Sequence, residues 1–401
     1  MAKVSSASAE HIIGRLERFK VEIPSWGFSQ TGTRFGKFLQ DAAAVDMDDK
    51  LADAGQVNKY TGMTPTVAVH VLWDFPNGYD RQVVKIAEKY GVKIGAINPN
   101  VFQDQCYKYG SITNRDAKIR KRATGHIIDS IEIGKKTGSE YVSLWFADGA
   151  NYPGQADIRQ RKAWATKSLQ DAHKTLGRNQ IMLLEYKPFE PATYFTDFCD
   201  WGASYIFAKN AGKNAKVLVD LGHHLLGQNI EQIVAWLIDE KMLGGFHFND
   251  RKYADDDLTT ASIDPYQVFR IFNEIVNEEW LTGKDIKLAW MVDQSHNIKP
   301  KIQAQIQTVM AIQELFAKAL LVDRKALAAA QAAEDVIGAE TVLRDAFTAD
   351  VSGILKAVRK NLGVPANPLK AFRDSGYEEK AAKTRIQKRK DLGINEGGAF
   401  A

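Results

Sequence analysis

Cysteine is almost absent from this chain. Only Cys106 and Cys199 occur in 401 residues, in neither a metal-type nor a redox-type spacing. That excludes a disulfide framework and predicts a reducing compartment. Long apolar runs are missing too. No stretch approaches a membrane span, and the opening MAKVSSASAEHIIGRLERFK turns charged and helical without the apolar centre of a secretion signal. The expectation is a cytoplasmic protein that does not enter a membrane. An excess of one charge is also lacking: 53 Lys and Arg stand against 49 Asp and Glu, a net charge of +4. Such a balance removes the electrostatic case for nucleic acid as the main partner and leaves a small molecule as the expected one.

What is present is a repeated alternation. Eight short apolar runs rich in Val, Ile, Leu and aromatics recur at 21–28, 66–73, 93–100, 141–148, 180–187, 215–222, 244–250 and 287–294. Near-continuous hydrophobicity means burial on both faces, as in a parallel sheet. Between the runs lie amphipathic stretches such as NIEQIVAWLIDEKMLGG, with apolar residues three and four apart and a closing glycine, as helices end. The predicted fold class is therefore α/β, a (β/α)8 TIM barrel over residues 1–298 with a short N-terminal helix; a doubly wound sheet is the competitor. From 299 to 401 no further strand follows. Residues 299–361 read as a C-terminal helical arm with the stripe Val309, Ile312, Leu315 and Phe316, and the segment from about Pro368, with its KTRIQKRK, reads as a solvated flexible tail.

In such a barrel the chemistry lies at the carboxyl ends of the strands. Strand 5 ends with Glu185 and Lys187, which share a face because side chains alternate along a strand. Strand 6 ends with Asp220, followed by His223; strand 7 carries His247; strand 8 ends with Asp293; and the loop after strand 7 brings Asp255 and Asp257. Taken singly these residues have bland readings, His247 as a hydrogen-bonded core histidine and the aspartates as a solvated turn. Together, five carboxylates converging on one mouth would repel one another unless cations sit among them. Carboxylates and imidazoles without a thiolate suit Mn²⁺, Mg²⁺ or Co²⁺ better than a structural zinc, with Zn²⁺ left open. Glu185, Asp220, His247 and Asp293 can form one metal site, and His223, Asp255 and Asp257 a second, with Asp220 able to bridge.

The motifs PSWG (24–27), TRF (33–35), YKYGS (107–111), NYPGQ (151–155), VDLGHH (219–224), GGFHFND with KYADDDL (244–258) and VDQSHN (292–297) together resemble the L-rhamnose isomerases, in particular the branch acting broadly on rare sugars. The resemblance runs from about residue 12 through LKAFRDSGY near the C-terminus. It implies a homotetramer with two divalent metals per subunit, Mn²⁺ first, interconverting L-rhamnose and L-rhamnulose and also rare sugars such as D-allulose and D-allose. It makes Glu185, Asp220, His247 and Asp293 the structural-metal ligands, and His223, Asp255 and Asp257 the catalytic-metal ligands beside Asp220. It places Lys187 on the first sugar oxygens, His70 at the ring oxygen, Trp26 and Trp145 as aromatic walls, and Phe35 and Phe102 at an apolar edge, Phe102 from its own chain or a neighbour. The catalytic set is then His70, Lys187, Asp255 and Asp293. Two rival readings remain: a metal-dependent ketose epimerase on the same barrel, and a sugar-binding protein without catalysis.

Overall fold

Each of the eight apolar runs forms a strand, and each strand is shorter than its run. The computed structural model describes residues 6–33, 36–190, 195–254 and 257–394. Its strands are β1 (Ile23–Pro24), β2 (Thr66–His70), β3 (Lys93–Asn98), β4 (Tyr141–Leu144), β5 (Ile181–Glu185), β6 (Ala215–Asp220), β7 (Leu243–Phe248) and β8 (Ala289–Val292). They lie side by side in chain order, all parallel, and a further parallel bridge from Glu22 to Met291 brings the first strand against the last. A doubly wound sheet would break that order at a switch point, so the barrel is the fold.

The runs overshoot because the chain turns as soon as it clears the sheet. After β1 it enters a 3-10 turn, Ser25–Phe28, which carries Trp26, and after β2 a single helical turn, Val71–Asp74, which carries Trp73. Helix α1 (Ser6–Arg18) precedes the barrel. The ring helices are α2 (Met47–Thr61), α3 (Gln82–Lys89), α4 (Ala117–Thr137), α5 (Ile158–His173), α6 (Trp201–Ala211), α7 (Ile230–Asp239), α8 (Pro265–Thr282) and α9 (Lys301–Leu320). Aspartate and asparagine side chains at Asp46, Asp116, Asp157, Asp200, Asn229 and Asp264 accept the free N–H groups at the starts of α2, α4, α5, α6, α7 and α8. Helix α9 packs between α8 and α2, so the helix expected to open the C-terminal arm fills the eighth place of the ring.

Period-two alternation divides the residues of β7, LGGFHF. Phe246 and Phe248 point outward and stack on Trp290, with ring planes 16° and 5° apart, while His247 between them points into the barrel. A histidine in a buried strand is thus the inward member of an otherwise apolar alternation. The barrel interior below it is filled by Ala68, Ala96, Leu183, Leu218, Ala289 and Met291. Strand β7 packs so closely on β8 that a Cβ at Gly245 would stand 2.3 Å from the Ala289 carbonyl oxygen.

Beyond the ring, α10 (Arg324–Ala332), α11 (Val336–Thr348), α12 (Ser352–Asn361), α13 (Pro368–Asp374) and α14 (Tyr377–Asp391) follow. The last two correct the expected flexible tail: 368–391 is helical, and the basic run lies against α2. Arg385 forks onto both Asp53 oxygens at 2.7 and 2.8 Å, Tyr377 donates to Asp53 at 3.0 Å, and Lys388 reaches Asp46 at 2.6 Å and Asp49 at 3.2 Å. Among the described residues no helix is long and apolar enough to cross a membrane.

Candidate active site

The inward positions at the upper ends of the strands meet in a cavity of about 180 Å³, and its two sides differ in kind. Strands β1 to β4 and the turns after them supply Trp26, His70, Trp73, Asn98, Phe102, Ser143 and Trp145; β5 to β8 and their loops supply Glu185, Lys187, His223, His247, Asp257 and Asp293. One wall is aromatic and neutral, the other ionic.

On the ionic side, ligand atoms of Glu185, Asp220, His247 and Asp293 lie within 4.8 Å of one another. His247 Nδ1 is 3.3 Å from Glu185 Oε1, 3.6 Å from Asp293 Oδ2 and 3.7 Å from Asp220 Oδ2, yet this buried nitrogen makes no aligned hydrogen bond. His223 Nδ1 approaches the same Glu185 oxygen at 3.1 Å, so Glu185 stands between the two imidazoles, and the Tyr186 carbonyl oxygen lies 3.0 Å from that nitrogen. Asp257 enters the cavity because a two-way backbone pairing of Asp250 with Leu258, 2.9 Å each way, closes the intervening loop; it takes a left-handed φ of 44°, uncommon without glycine. Asp255 and Phe35 lie outside the described residues.

The electrostatics follow from this crowding. Burial, together with the carboxylates of Glu185 and Asp293, pushes Asp220 up to about 7, and burial raises Asp293 as well. For His247 and Glu185 burial is outweighed by their contact: the imidazole is pushed up to about 9, and Glu185, beside His247 and His223, falls below the usual carboxylate range. Protons are being retained to offset negative charge packed out of water. A divalent cation would meet the same need, and the donor set of carboxylate oxygens and imidazole nitrogens, with an unspent nitrogen on His247, fits one.

On the other side, Trp26 turns its ring edge to His70, centroids 4.7 Å apart, and His70 packs at 4.0 Å on Trp73. Trp26 also crosses the divide, its indole N–H donating to Asp293 Oδ1 at 2.8 Å. Burial pushes the His70 imidazole down to about 3, so it is neutral, and its Nδ1 makes no aligned hydrogen bond among the described residues. Phe102 lies 4.8 Å from Trp145 and 5.9 Å from His70, within the cavity of its own chain. Lys187 reaches over the Trp145 ring at 5.3 Å and pairs with Glu190. Four residues at the site went unread in the sequence. Trp73 closes an apolar run that reads as strand throughout; Asn98 is a neutral amide two after Ala96, which carries no chemical signal; Ser143 stands two before Trp145 and Asn249 two after His247, spacings that would have found both.

A family model described as xylose isomerase-like TIM barrel matches residues 49–282. The chain belongs to this family. Within the xylose isomerase-like barrels it is 39% identical over 379 residues to a protein of Mesorhizobium japonicum named probable sugar isomerase, covering 93% of this chain and 88% of the relative. A second probable sugar isomerase, from Rhizobium meliloti, is 39% identical over 376 residues, covering 92% and 87%. Among solved structures, a D-allulose 3-epimerase from Methylomonas superposes with a TM-score of 0.54 at 12% identity, over 74% of this chain and 98% of that one. A 3-keto-D-glucoside 4-epimerase from E. coli does so with 0.53 at 13% identity, over 73% and 99%. These two likenesses carry the fold alone.

Proposed function

We propose that this xylose isomerase-like barrel is a divalent-metal-dependent aldose–ketose isomerase, with L-rhamnose to L-rhamnulose as its leading reaction and rare sugars such as D-allose and D-allulose as further substrates. One observation carries the reading: three carboxylates and an imidazole converge at the barrel mouth, flanked by His223 and Asp257 and facing an aromatic wall. The relatives named as probable sugar isomerases support the reaction class, and the rhamnose assignment rests on the motif resemblance.

Glu185, Asp220, His247 and Asp293 would hold one ion and His223, Asp255 and Asp257 a second, with Glu185 shared; Mn²⁺ leads, ahead of Co²⁺, Mg²⁺ and Zn²⁺. Bound there, the ions would polarise adjacent sugar oxygens and stabilise alkoxide charge. The chain's own groups do the rest. Trp26, Phe102 and Trp145 cover the apolar face of a sugar and exclude water, which strengthens every charge interaction inside. By the motif resemblance, Phe35 would join that edge. His70, neutral and with a free ring nitrogen, takes up or returns a proton at the ring oxygen during ring opening. Lys187, now paired with Glu190, reaches the first sugar oxygens with a short swing. The assembly proposed is a homotetramer, in the cytoplasm.

The test is direct. EDTA-stripped protein should give no ketose from L-rhamnose, and Mn²⁺ should restore it; a restored sample that still makes none removes the isomerase reading, and a C3-epimerised ketose formed from a ketose substrate would put the epimerase in its place.

A further inference from the structure

Asn249 belongs to none of the ligand sets above, yet its side chain stands at their centre. It is fully buried. Its amide nitrogen lies 3.0 and 3.1 Å from the two Asp220 oxygens, 3.1 Å from the backbone carbonyl of Asp293 and 3.5 Å from Asp257 Oδ1. One NH₂ group therefore faces three ligand-bearing elements: the end of β6, the loop after β7 and the end of β8. The sign of those neighbours fixes its orientation, because the opposite rotamer of the amide would press its carbonyl oxygen against two carboxylates and a carbonyl. The surroundings make room for it as well. The Asn249 oxygen turns toward Gly222, where a Cβ would stand only 2.9 Å from it, and Gly222 in turn donates its N–H to Asp220 at 2.7 Å.

We propose that Asn249 is a positioning residue that sets the carboxylates before a metal arrives. The inference rests on the metal-dependent reading of this site. Asp220 needs a donor to hold its two oxygens in a fixed plane. A lysine or arginine in that place would supply one but would compete with the cation for the same charge; an aspartate would add a further anion to a cluster already short of positive charge. An amide gives two N–H donors with no charge and no titration, so it orders the carboxylates without weakening their pull on a cation. It also reaches Asp257: the loop after β7 is closed at its base by the Asp250–Leu258 pairing, and the Asn249 amide is one contact from the β7 end to its aspartate. Outer groups of this kind typically change metal affinity ten- to hundredfold when removed.

The test is Mn²⁺ titration, by electron paramagnetic resonance of the free ion, of EDTA-stripped full-length protein as wild type, Asn249→Leu and Asn249→Ser, with thermal unfolding of each metal-free protein alongside. Leucine keeps the branching and loses the donors; serine keeps one donor on a shorter arm. Mn²⁺ binding should weaken by about tenfold or more in Asn249→Leu and by less in Asn249→Ser, with kcat falling while KM for the sugar moves little. A purely structural residue would lower the unfolding temperature and leave the Mn²⁺ dissociation constant alone, so a folded variant that binds as tightly as wild type overturns the proposal. Should Asn249→Leu not fold, Asn249→Ser decides on the same criterion. Wild-type protein that takes up no Mn²⁺ overturns the metal-dependent reading itself, and this inference with it.

Discussion

Two clusters of buried charge in this molecule look alike in composition and differ in what they leave unspent. In the C-terminal clamp, Asp53 is fully buried and both its oxygens are taken, by the Arg385 fork and by Tyr377. Around it Lys388 meets Asp46 and Asp49, and Arg385 also stands 3.5 Å from Asp49, so every anion there has a cation against it. At the barrel mouth Glu185, Asp220 and Asp293 share the surroundings of His247, anions are in surplus, and the His247 nitrogen is left without an aligned bond. A cluster in which every anion meets a cation holds helices together. A cluster with surplus charge of one sign carries a cost in the folded state that only an added ligand removes, and that cost marks it as a site.

The sharpest way to break this distinction is to remove a charge from each. Asp220→Asn should lower turnover of Mn²⁺-restored protein by about a thousandfold or more, roughly 4 kcal/mol of barrier, while thermal stability of the metal-free protein holds or rises because like charges are relieved. Turnover within tenfold of wild type would return Asp220 to a structural role. Arg385→Ala should do the reverse: it strands Asp53 as an unpaired buried anion and costs about 3–5 kcal/mol in chemical denaturation, with kcat of the folded protein unchanged. The paired replacement Asp53→Leu with Arg385→Met should recover most of that loss, since two apolar groups can stand where an ion pair stood.

The same contrast explains what could be read from the sequence. The barrel was legible because its strands are apolar runs and its ring helices have apolar stripes, both of which follow from burial against a hydrophobic neighbour. Glu185, Asp220, His247 and Asp293 were legible because strand ends and period two place them at one height. The clamp was not: α14 has no apolar stripe, its buried face being Ala381, Arg385 and Arg389, so its partner is an acidic helix more than three hundred residues away and nothing local announces it. Trp73 was hidden for another reason. Alternation carries a strand reading past His70, whereas the chain there makes a helical turn, set by the Asp74 carboxylate accepting the His70 N–H at 2.7 Å. Asn249 went unread because a neutral amide carries no signal of charge, although it shares the face of His247.

Adding the missing cation should sharpen the comparison further. At a hundredfold over its dissociation constant, Mn²⁺ stabilises the folded state by about 2.7 kcal/mol if it binds only there. Thermal unfolding should therefore move upward in wild type and not in Asp220→Asn. Arg385→Ala should gain the same increment as wild type, because clamp and site share no partner and distant changes add. A clamp variant that loses the Mn²⁺ response would join the two clusters into one unit.

The smallest effect separates two histidines that their surroundings shift in opposite directions. His247, among surplus anions, is held protonated to about 9. His126 is half-buried where it accepts the Asn100 backbone N–H at 3.0 Å, and that partial burial lowers its pKa. A histidine whose folded pKa lies below its unfolded value of about 6.5 favours the neutral form in the fold, so the unfolded chain binds more protons in acid. Its contribution is complete above about pH 6.5 and is lost as pH falls through the folded value. Unfolding free energy should thus decline on the acid side of neutrality, and His126→Gln should flatten that decline by about 1 kcal/mol or less, the worth of one hydrogen bond. An unchanged slope would place the acid sensitivity at other depressed histidines, His70, His173, His224 and His296, and leave the Asn100 contact as packing alone.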